Sequence, residues 1–330
     1  MKRLLPAALL AIVLVAVLAH FTNLDWSRVG GTLRALDPAL VAAAFAVYAL
    51  SFVLRGVRLS LLMPGASSLL HLASISARHI LLAVVLPFRT GEAALPVMLS
   101  LECGRPASEG VSVLGVMRVL DLLCVAACLL AGLALGGAAG GTAAGDLSPS
   151  AVTRRGWIVL GCLVAAVLLA RPIAARCATL AASPRKPLAF LGGMAAHVAR
   201  LRNGQLVAAL LVSLATWTCT YGACWLLLRA MAAPDALGPA AQVSFATGLV
   251  GTTGLHLSAV IPISPLAGVG TWELGWIAGY HGLVGLSESD AMTSALVAHA
   301  VIFAFVAVLG GAGFLVRRRP MSAVESPARV

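Results

Sequence analysis

The sequence predicts an all-α fold: a polytopic membrane helix bundle of about 6–8 spans, each needing about 20 mostly apolar residues. Two broken or re-entrant helical elements are expected in pseudo-symmetric halves. Three observations carry this. Of the 330 residues, 60% are hydrophobic and only 11% are charged, against about a quarter charged in an ordinary soluble domain; the mean hydropathy is +0.99. Such a chain cannot cover a water-facing surface with polar groups. The apolar residues also come in unbroken runs rather than short alternating segments, so the backbone must be satisfied within helices and not in a closed barrel. Finally, much of the net charge of +11 sits at the ends of those runs, where the cytoplasmic flanks of membrane helices collect Lys and Arg. That placement argues against a nucleic-acid partner.

The elements follow in order. Met1, Lys2 and Arg3 precede the first candidate span, residues 4–21. This run imitates a secretory leader, but no small-residue cleavage site directly follows it, and with many later spans a retained helix is expected. Residues 38–54 form the second span, with Pro38 suited to a first helical turn. The basic stretch 55–78 reads as an interfacial helix on the cytoplasmic side. Residues 80–101 are apolar but interrupted by Pro87, Gly91 and Pro96, a broken element that enters and leaves on one side. A long span, 111–135, carries Arg118 and Asp121, and a Gly/Ala-rich loop, 136–150, leads to a shorter span, 157–170.

Between 171 and 205 lie Arg171, Arg176, Arg185, Lys186, Arg200 and Arg202 with no acidic residue, the clearest internal loop. Spans follow at 206–228 and 240–261, with Asp235 in the loop between them. The Pro/Gly-rich stretch 262–270 precedes an apolar segment, 271–286. Glu288 and Asp290 mark an external turn, and the last span, 291–316, is anchored inside by Arg317, Arg318 and Arg319. Both termini are expected in the cytoplasm, although Arg154 and Arg155 on the outer side run against the charge rule locally. The domain reading is a single membrane-embedded unit, 1–320, with a short polar cytoplasmic tail, 321–330, in a cytoplasmic-type membrane.

Two stretches break the helical pattern and resemble one another. The first runs Leu86-Pro87-Phe88-Arg89-Thr90-Gly91-Glu92; the second contains Pro262, Pro265, Gly268, Gly270 and Glu273. Proline removes a backbone donor and glycine admits unusual dihedrals, so each stretch should unwind the helix. Unwound backbone survives in a bilayer only where it is buried in protein or lines a wet cavity. A pair of such breaks in corresponding halves points to a transporter-like central site. A membrane carboxylate costs about 2.5–3.5 kcal/mol on insertion scales and so faces a partner or a cavity. Glu92 and Glu273 are candidates for substrate contact or for stabilising helix starts, and both readings stay open. Arg118 and Asp121, three residues apart, can pair with each other; alternatively Arg118 or Arg89 could face a lipid phosphate.

The remaining polar and sulfur residues suggest nothing catalytic. His79, His256 and His299 match no metal spacing and read as packed or interfacial side chains, so no metal or cofactor is expected. The seven cysteines include no CxxC pair; Cys124, Cys128, Cys162, Cys219 and Cys224 read as buried small hydrophobes. Small residues over 126–140 could allow close helix packing.

Four features, in order, carry a family resemblance: Arg55-Gly56-Val57-Arg58, Leu86 to Glu92, Val116-Met117-Arg118-Val119-Leu120-Asp121-Leu122-Leu123, and Pro262 to Glu273. Together they make the chain resemble the membrane domain of lysylphosphatidylglycerol synthases and related stand-alone flippase-like proteins, from about residue 50 to 310. The resemblance implies movement of a polar-headgroup lipid between leaflets: an aminoacylated or other phospholipid, or a hopanoid-related lipid. It does not imply synthesis, because the chain has no room for the aminoacyltransferase domain. The family's asparagine before the first proline and arginine after Gly-Glu are replaced here by the Ala83–Val85 region and Leu95, which reduces the polar lining of the first break.

The expected function is therefore that of a lipid flippase or lipid-transport protein and not an enzyme. Membrane lipids are its partners, and lipid-biosynthesis enzymes are a further class of partner. The site would use Arg89, Glu92, Arg118 and Glu273. Two alternatives stand beside it: a non-transporting scaffold of a lipid-biosynthesis complex, and an intramembrane lipid-modifying enzyme. Against the latter, the sequence has no HExxH motif, nucleophile elbow or nucleotide-binding P-loop.

Overall fold

A computed structural model describes residues 25–136, 149–233, 236–258 and 266–316. Among them are eleven α-helices and no strand. A short helix, α1 (Trp26–Arg34), is capped by Asp25, which accepts from the amides of Ser27 and Arg28. Asp37 caps α2 (Pro38–Leu62) in the same way, with proline in the first turn. Then come α3 (Leu69–Val85), a 3₁₀ turn (Pro87–Ala93) and α4 (Ala94–Cys103), which stops at Gly104 with φ 64°. The long helices α5 (Ala107–Ala134) and α6 (Pro149–Cys177) precede α7 (Lys186–Arg200). The final set is α8 (Asn203–Ala230), α9 (Phe245–Ser258), α10 (Thr271–Ile277) with a π-helical continuation (Ala278–Leu283), and α11 (Glu288–Gly313).

Four helices, α2, α5, α8 and α11, are long and apolar enough to cross a membrane. They leave Leu50, Val53, Leu122, Leu211 and Val308 exposed on their outer faces, as a lipid-facing surface requires. Antiparallel to α5, α6 runs from Gly156 against Leu130 to Arg171, whose Nε donates to the Ala199 carbonyl. The chain is a multi-pass helical membrane protein.

Two re-entrant hairpins define the architecture. At about 1.5 Å per residue, α3 is about 25 Å long and α4 about 15 Å, both short of a hydrocarbon core of about 30 Å. They fold back on each other: Arg78 in α3 makes a paired bond to Glu102 near the end of α4, at 2.9 and 2.8 Å. The second hairpin joins α9 to α10. Its arms touch at Gly254 and Gly275 and at Gly251 and Gly279, where an added Cβ on Gly279 would sit 1.8 Å from the Gly251 carbonyl oxygen. Small residues let the two backbones approach.

The order span, hairpin, span occurs twice, with opposite direction. The first hairpin leaves the face where α2 ends and α5 begins. The second leaves the opposite face, where α8 ends and α11 begins. Antiparallel contact between α2 and α8 fixes this, with the Asp37 amide bonded to the Ala230 carbonyl at one end and Gln205 to the Leu61 carbonyl at the other. Each hairpin packs on the closing span of the other half. Gly132 of α5 lies against Ala246 and Leu249, and Gly310 of α11 against Leu81 and Ala77. The two tips meet in the middle. This is an inverted repeat, and the broken elements of the sequence reading are its hairpins.

Several expected boundaries change. The 55–78 stretch is not one interfacial helix: α2 continues through Arg55 and Arg58 to Leu62, and Leu69 begins a hairpin arm. The reason is neutralisation by a partner far along the chain, since buried Arg58 meets Asp121 from another helix. Residues 240–261 and 271–286 are not spans; they contain the second hairpin's arms. The expected 157–170 span belongs to the longer α6, with Pro172 inside it, and the 171–205 loop contains α7. Cys162 is exposed and not buried, because it lies on the outer side of α6. The expected first span (4–21), residues 137–148 of the Gly/Ala-rich loop, Asp235, Pro262, Pro265, Arg317, Arg318, Arg319 and the polar tail (321–330) lie outside the described residues.

Candidate functional site

The hairpin tips and the central spans enclose a cavity of about 280 Å³. Its wall draws Arg55 and Arg58 from α2, His79 from α3, and Glu92 from the first tip. Met117, Arg118 and Asp121 come from α5, Trp217 and Thr220 from α8, and His256 and Ser258 from the end of α9. The second tip gives Ala267, Gly268, Thr271 and Trp272, and α11 gives His299 and Ile302. Thr271 and Trp272 open the helix that follows the tip.

The first tip is a 3₁₀ turn because Pro87 and Gly91 prevent a regular helix. A Cβ on Gly91 would fall 2.1 Å from the Leu82 carbonyl oxygen, so the turn folds flat onto α3. This aims Glu92 into the cavity, before α4 begins at Ala94. Glu92 accepts from Arg118 and lies 3.6 Å from Nε2 of His79. No helix start is capped by Glu92. The side chain of Arg89, on the same turn, lies outside the described residues.

Asp121 is the hub of the opposite wall. It accepts from Arg58 and from the Trp217 indole at 2.8 Å, and Arg118 lies 3.6 Å away. The expected Arg118–Asp121 contact thus exists, but the main partner of each lies on another element. Arg58 is fully buried and also donates to Ser213 at 3.1 Å. Its Nε and Nη2 have no partner, and neither has the buried Nε of Arg55. The Arg55 guanidinium lies over the Trp217 ring, 5.9 Å from its centre, a cation–π distance.

Glu273 faces its own hairpin. One carboxylate oxygen accepts from the Gly270 amide at 2.7 Å, the third-residue role of a capping box. The other lies 2.6 Å from Nδ1 of His299, whose Nε2 is 3.1 Å from the Ala267 carbonyl. Trp272 stacks on the His299 ring, with centroids 4.7 Å apart. These contacts hold Ala267 at φ 56°, a left-handed conformation that costs a non-glycine residue about 1–2 kcal/mol. Gly268 at φ 73° and Gly270 at φ 90° complete the tip without that cost.

The site therefore gathers Glu92 and Arg118 from the expected site residues, brings in Asp121, expected only as the structural partner of Arg118, and adds Arg55, Arg58, Trp217, His79, His256 and His299. The histidines lie in apolar runs, which hid their common wall; the breaks on either side of them were the available signal. Three guanidiniums, Arg55, Arg58 and Arg118, and two carboxylates, Glu92 and Asp121, line the cavity, an excess of one positive charge with histidines neutral.

Comparison with known proteins agrees with a membrane-embedded chain. Glycosyltransferase AglD of Haloferax volcanii is 29% identical over 372 residues, covering 100% of this chain and 57% of that protein. The chain thus spans a little over half of that relative's length. The model of the lysylphosphatidylglycerol synthase TM region matches residues 5–310. With nearly the whole chain matched, the protein belongs to the lysylphosphatidylglycerol synthase membrane-region family.

Proposed function

We propose that this protein translocates a polar-headgroup lipid between leaflets without altering it chemically. The observation that carries this is the meeting of two re-entrant hairpins, entering from opposite faces, at one charged cavity. In inverted-repeat transporters a fixed central site is exposed to each side in turn as one repeat rocks against the other. Here the first tip supplies Glu92 and the second supplies Ala267, Gly268 and Thr271 to the cavity. A relative tilt of the hairpins would open the cavity to one leaflet and close it to the other.

Orientation follows from charge. Arg105, Arg171, Arg176, Arg185, Lys186, Arg200 and Arg202 gather on the face from which the first hairpin enters. The positive-inside rule makes that face cytoplasmic, in a cytoplasmic-type membrane. With residues 4–21 as a further crossing, both termini lie on that side.

The test is fluorescent-lipid translocation in proteoliposomes across several headgroups, comparing wild type with Glu92→Gln. Headgroup-selective movement that is lost in a folded variant supports the proposal. Absence of movement with every lipid, from folded wild type, refutes it and favours the scaffold reading. A second reading, participation in glycosyl transfer, draws on the name of the Haloferax relative. It predicts a missing glycolipid on deletion rather than a leaflet imbalance.

A further inference from the structure

We infer that the cavity is a binding site for a headgroup of net charge −1, whose phosphate is received by Arg55 and the free edge of Arg58. This rests on the translocation reading only for the source of the phosphate, a lipid headgroup rather than the free ion. The binding chemistry stands on its own.

The argument starts from which charges are already used. Arg118 is committed to Glu92, with Asp121 nearby. One edge of Arg58 serves Asp121 and Ser213. Glu92 Oε2 and His79 Nε2 face each other at 3.6 Å, which leaves as free cationic donors Nε of Arg55 and Nε and Nη2 of Arg58, all buried and without a hydrogen-bond partner. Arg58 is 0% exposed, so no bulk water serves those donors. Unsatisfied guanidinium donors in a membrane interior are costly. Guanidinium also matches phosphate oxygens in a two-toothed geometry that lysine cannot reproduce.

The surroundings fit the same ligand. Trp217 donates to Asp121 and lies beneath Arg55, so one side chain orients both the hub and the free cation. His256 packs edge-on to Trp217 at 4.7 Å, and its Nε2 is also without a partner, a further polar atom beside the cavity that donates in one of its two tautomers. The lining carries one excess positive charge, which a monoanion would cancel. A dianion or a headgroup of net positive charge would not. At about 280 Å³ the space is near the lower end of ligand pockets. It suits a headgroup, with acyl chains left outside.

The experiment measures binding apart from transport. The full chain is placed in nanodiscs of long-chain phosphatidylcholine. Short-chain phosphatidylglycerol (net −1), phosphatidylcholine (net 0), lysyl-phosphatidylglycerol (net +1) and inorganic phosphate are titrated, with tryptophan fluorescence as the readout. Wild type should bind phosphatidylglycerol about 10-fold or more tighter than either of the other lipids, the scale of a charge-assisted hydrogen bond. Arg55→Gln should remove that preference. It breaks no ion pair in the structure, so the fold should persist. Arg55→Lys, which keeps the charge and loses the fork, should retain only part of the preference and serves if the glutamine variant does not fold.

Equal affinity for the three lipids, or preference for the lysyl ester, overturns the site. Arg55-dependent binding of inorganic phosphate alone supports the anion site and identifies the free ion as its source, against the transport proposal. Selective translocation with charge-blind binding does the reverse: it sinks this site and spares the transport proposal.

Discussion

Replacing Asp121 with asparagine should be among the most damaging single changes to this fold, and its cost can be worked from the cavity wall. Asp121 has an 8% exposed side chain and faces Arg58, which has none exposed. Two unit charges about 4 Å apart interact by about 4 kcal/mol at the effective dielectric constant near 20 that describes protein sites. Breaking a buried pair from one side costs about 3–5 kcal/mol, because the other charge is stranded. Asp121→Asn removes the countercharge of Arg58 and leaves it a neutral amide oxygen and Ser213 at 3.1 Å. The reverse change is gentler. Arg58→Met leaves Asp121 with Trp217 at 2.8 Å and Arg118 at 3.6 Å, so the loss approaches one hydrogen bond to a charged group, about 1.5–3 kcal/mol. Arg58→Met with Asp121→Leu should be milder than Asp121→Asn alone, since no isolated charge remains between them. Equilibrium unfolding in mixed micelles, followed by tryptophan fluorescence, measures all three. Equal costs for the two single changes, or a double change more costly than Asp121→Asn alone, would refute the hub assignment.

Other outcomes can be checked with the same preparations. Gly279→Ala should disrupt the second hairpin, because the new methyl would lie 1.8 Å from the Gly251 carbonyl oxygen; a melting point equal to wild type would contradict the close-packed arms. Gly115→Ala, with nothing within 4 Å, is the control and should be neutral or gain up to about 1 kcal/mol in helix propensity. Asp37→Ala should lower stability by about 1 kcal/mol through loss of the α2 cap, whose amides Ala39 and Leu40 bond to that side chain at 2.8 and 3.2 Å. Exposed Cys177, on the face proposed to be cytoplasmic, should react with an impermeant maleimide in inside-out vesicles and not in right-side-out ones. Labelling in the opposite pattern would invert the proposed topology.

Much of this architecture was legible in the chain because lipid leaves few alternatives. Apolar runs near α2, α5, α8 and α11 had to be helices, since no other open structure satisfies its backbone in hydrocarbon. Proline and glycine marked the two breaks for the same local reason: a missing donor at Pro87 and the flat turn at Gly91 act on immediate neighbours. For Glu273 the sequence left substrate contact and helix-start stabilisation both open; its bond from the Gly270 amide, 2.7 Å long, is the helix-start contact. Where the sequence misled, the cause was a partner far along the chain. Arg55 and Arg58 looked interfacial because a lone arginine belongs at a membrane surface. Only the fold brings Asp121 and Ser213 to Arg58, 63 and 155 residues away. Likewise His79, His256 and His299 share a wall only because the hairpins enter from opposite faces. Local chemistry thus determined the helices and where they break; long-range neutralisation, which needs the packed bundle, decided which charges are spent on structure and which are left free in the cavity.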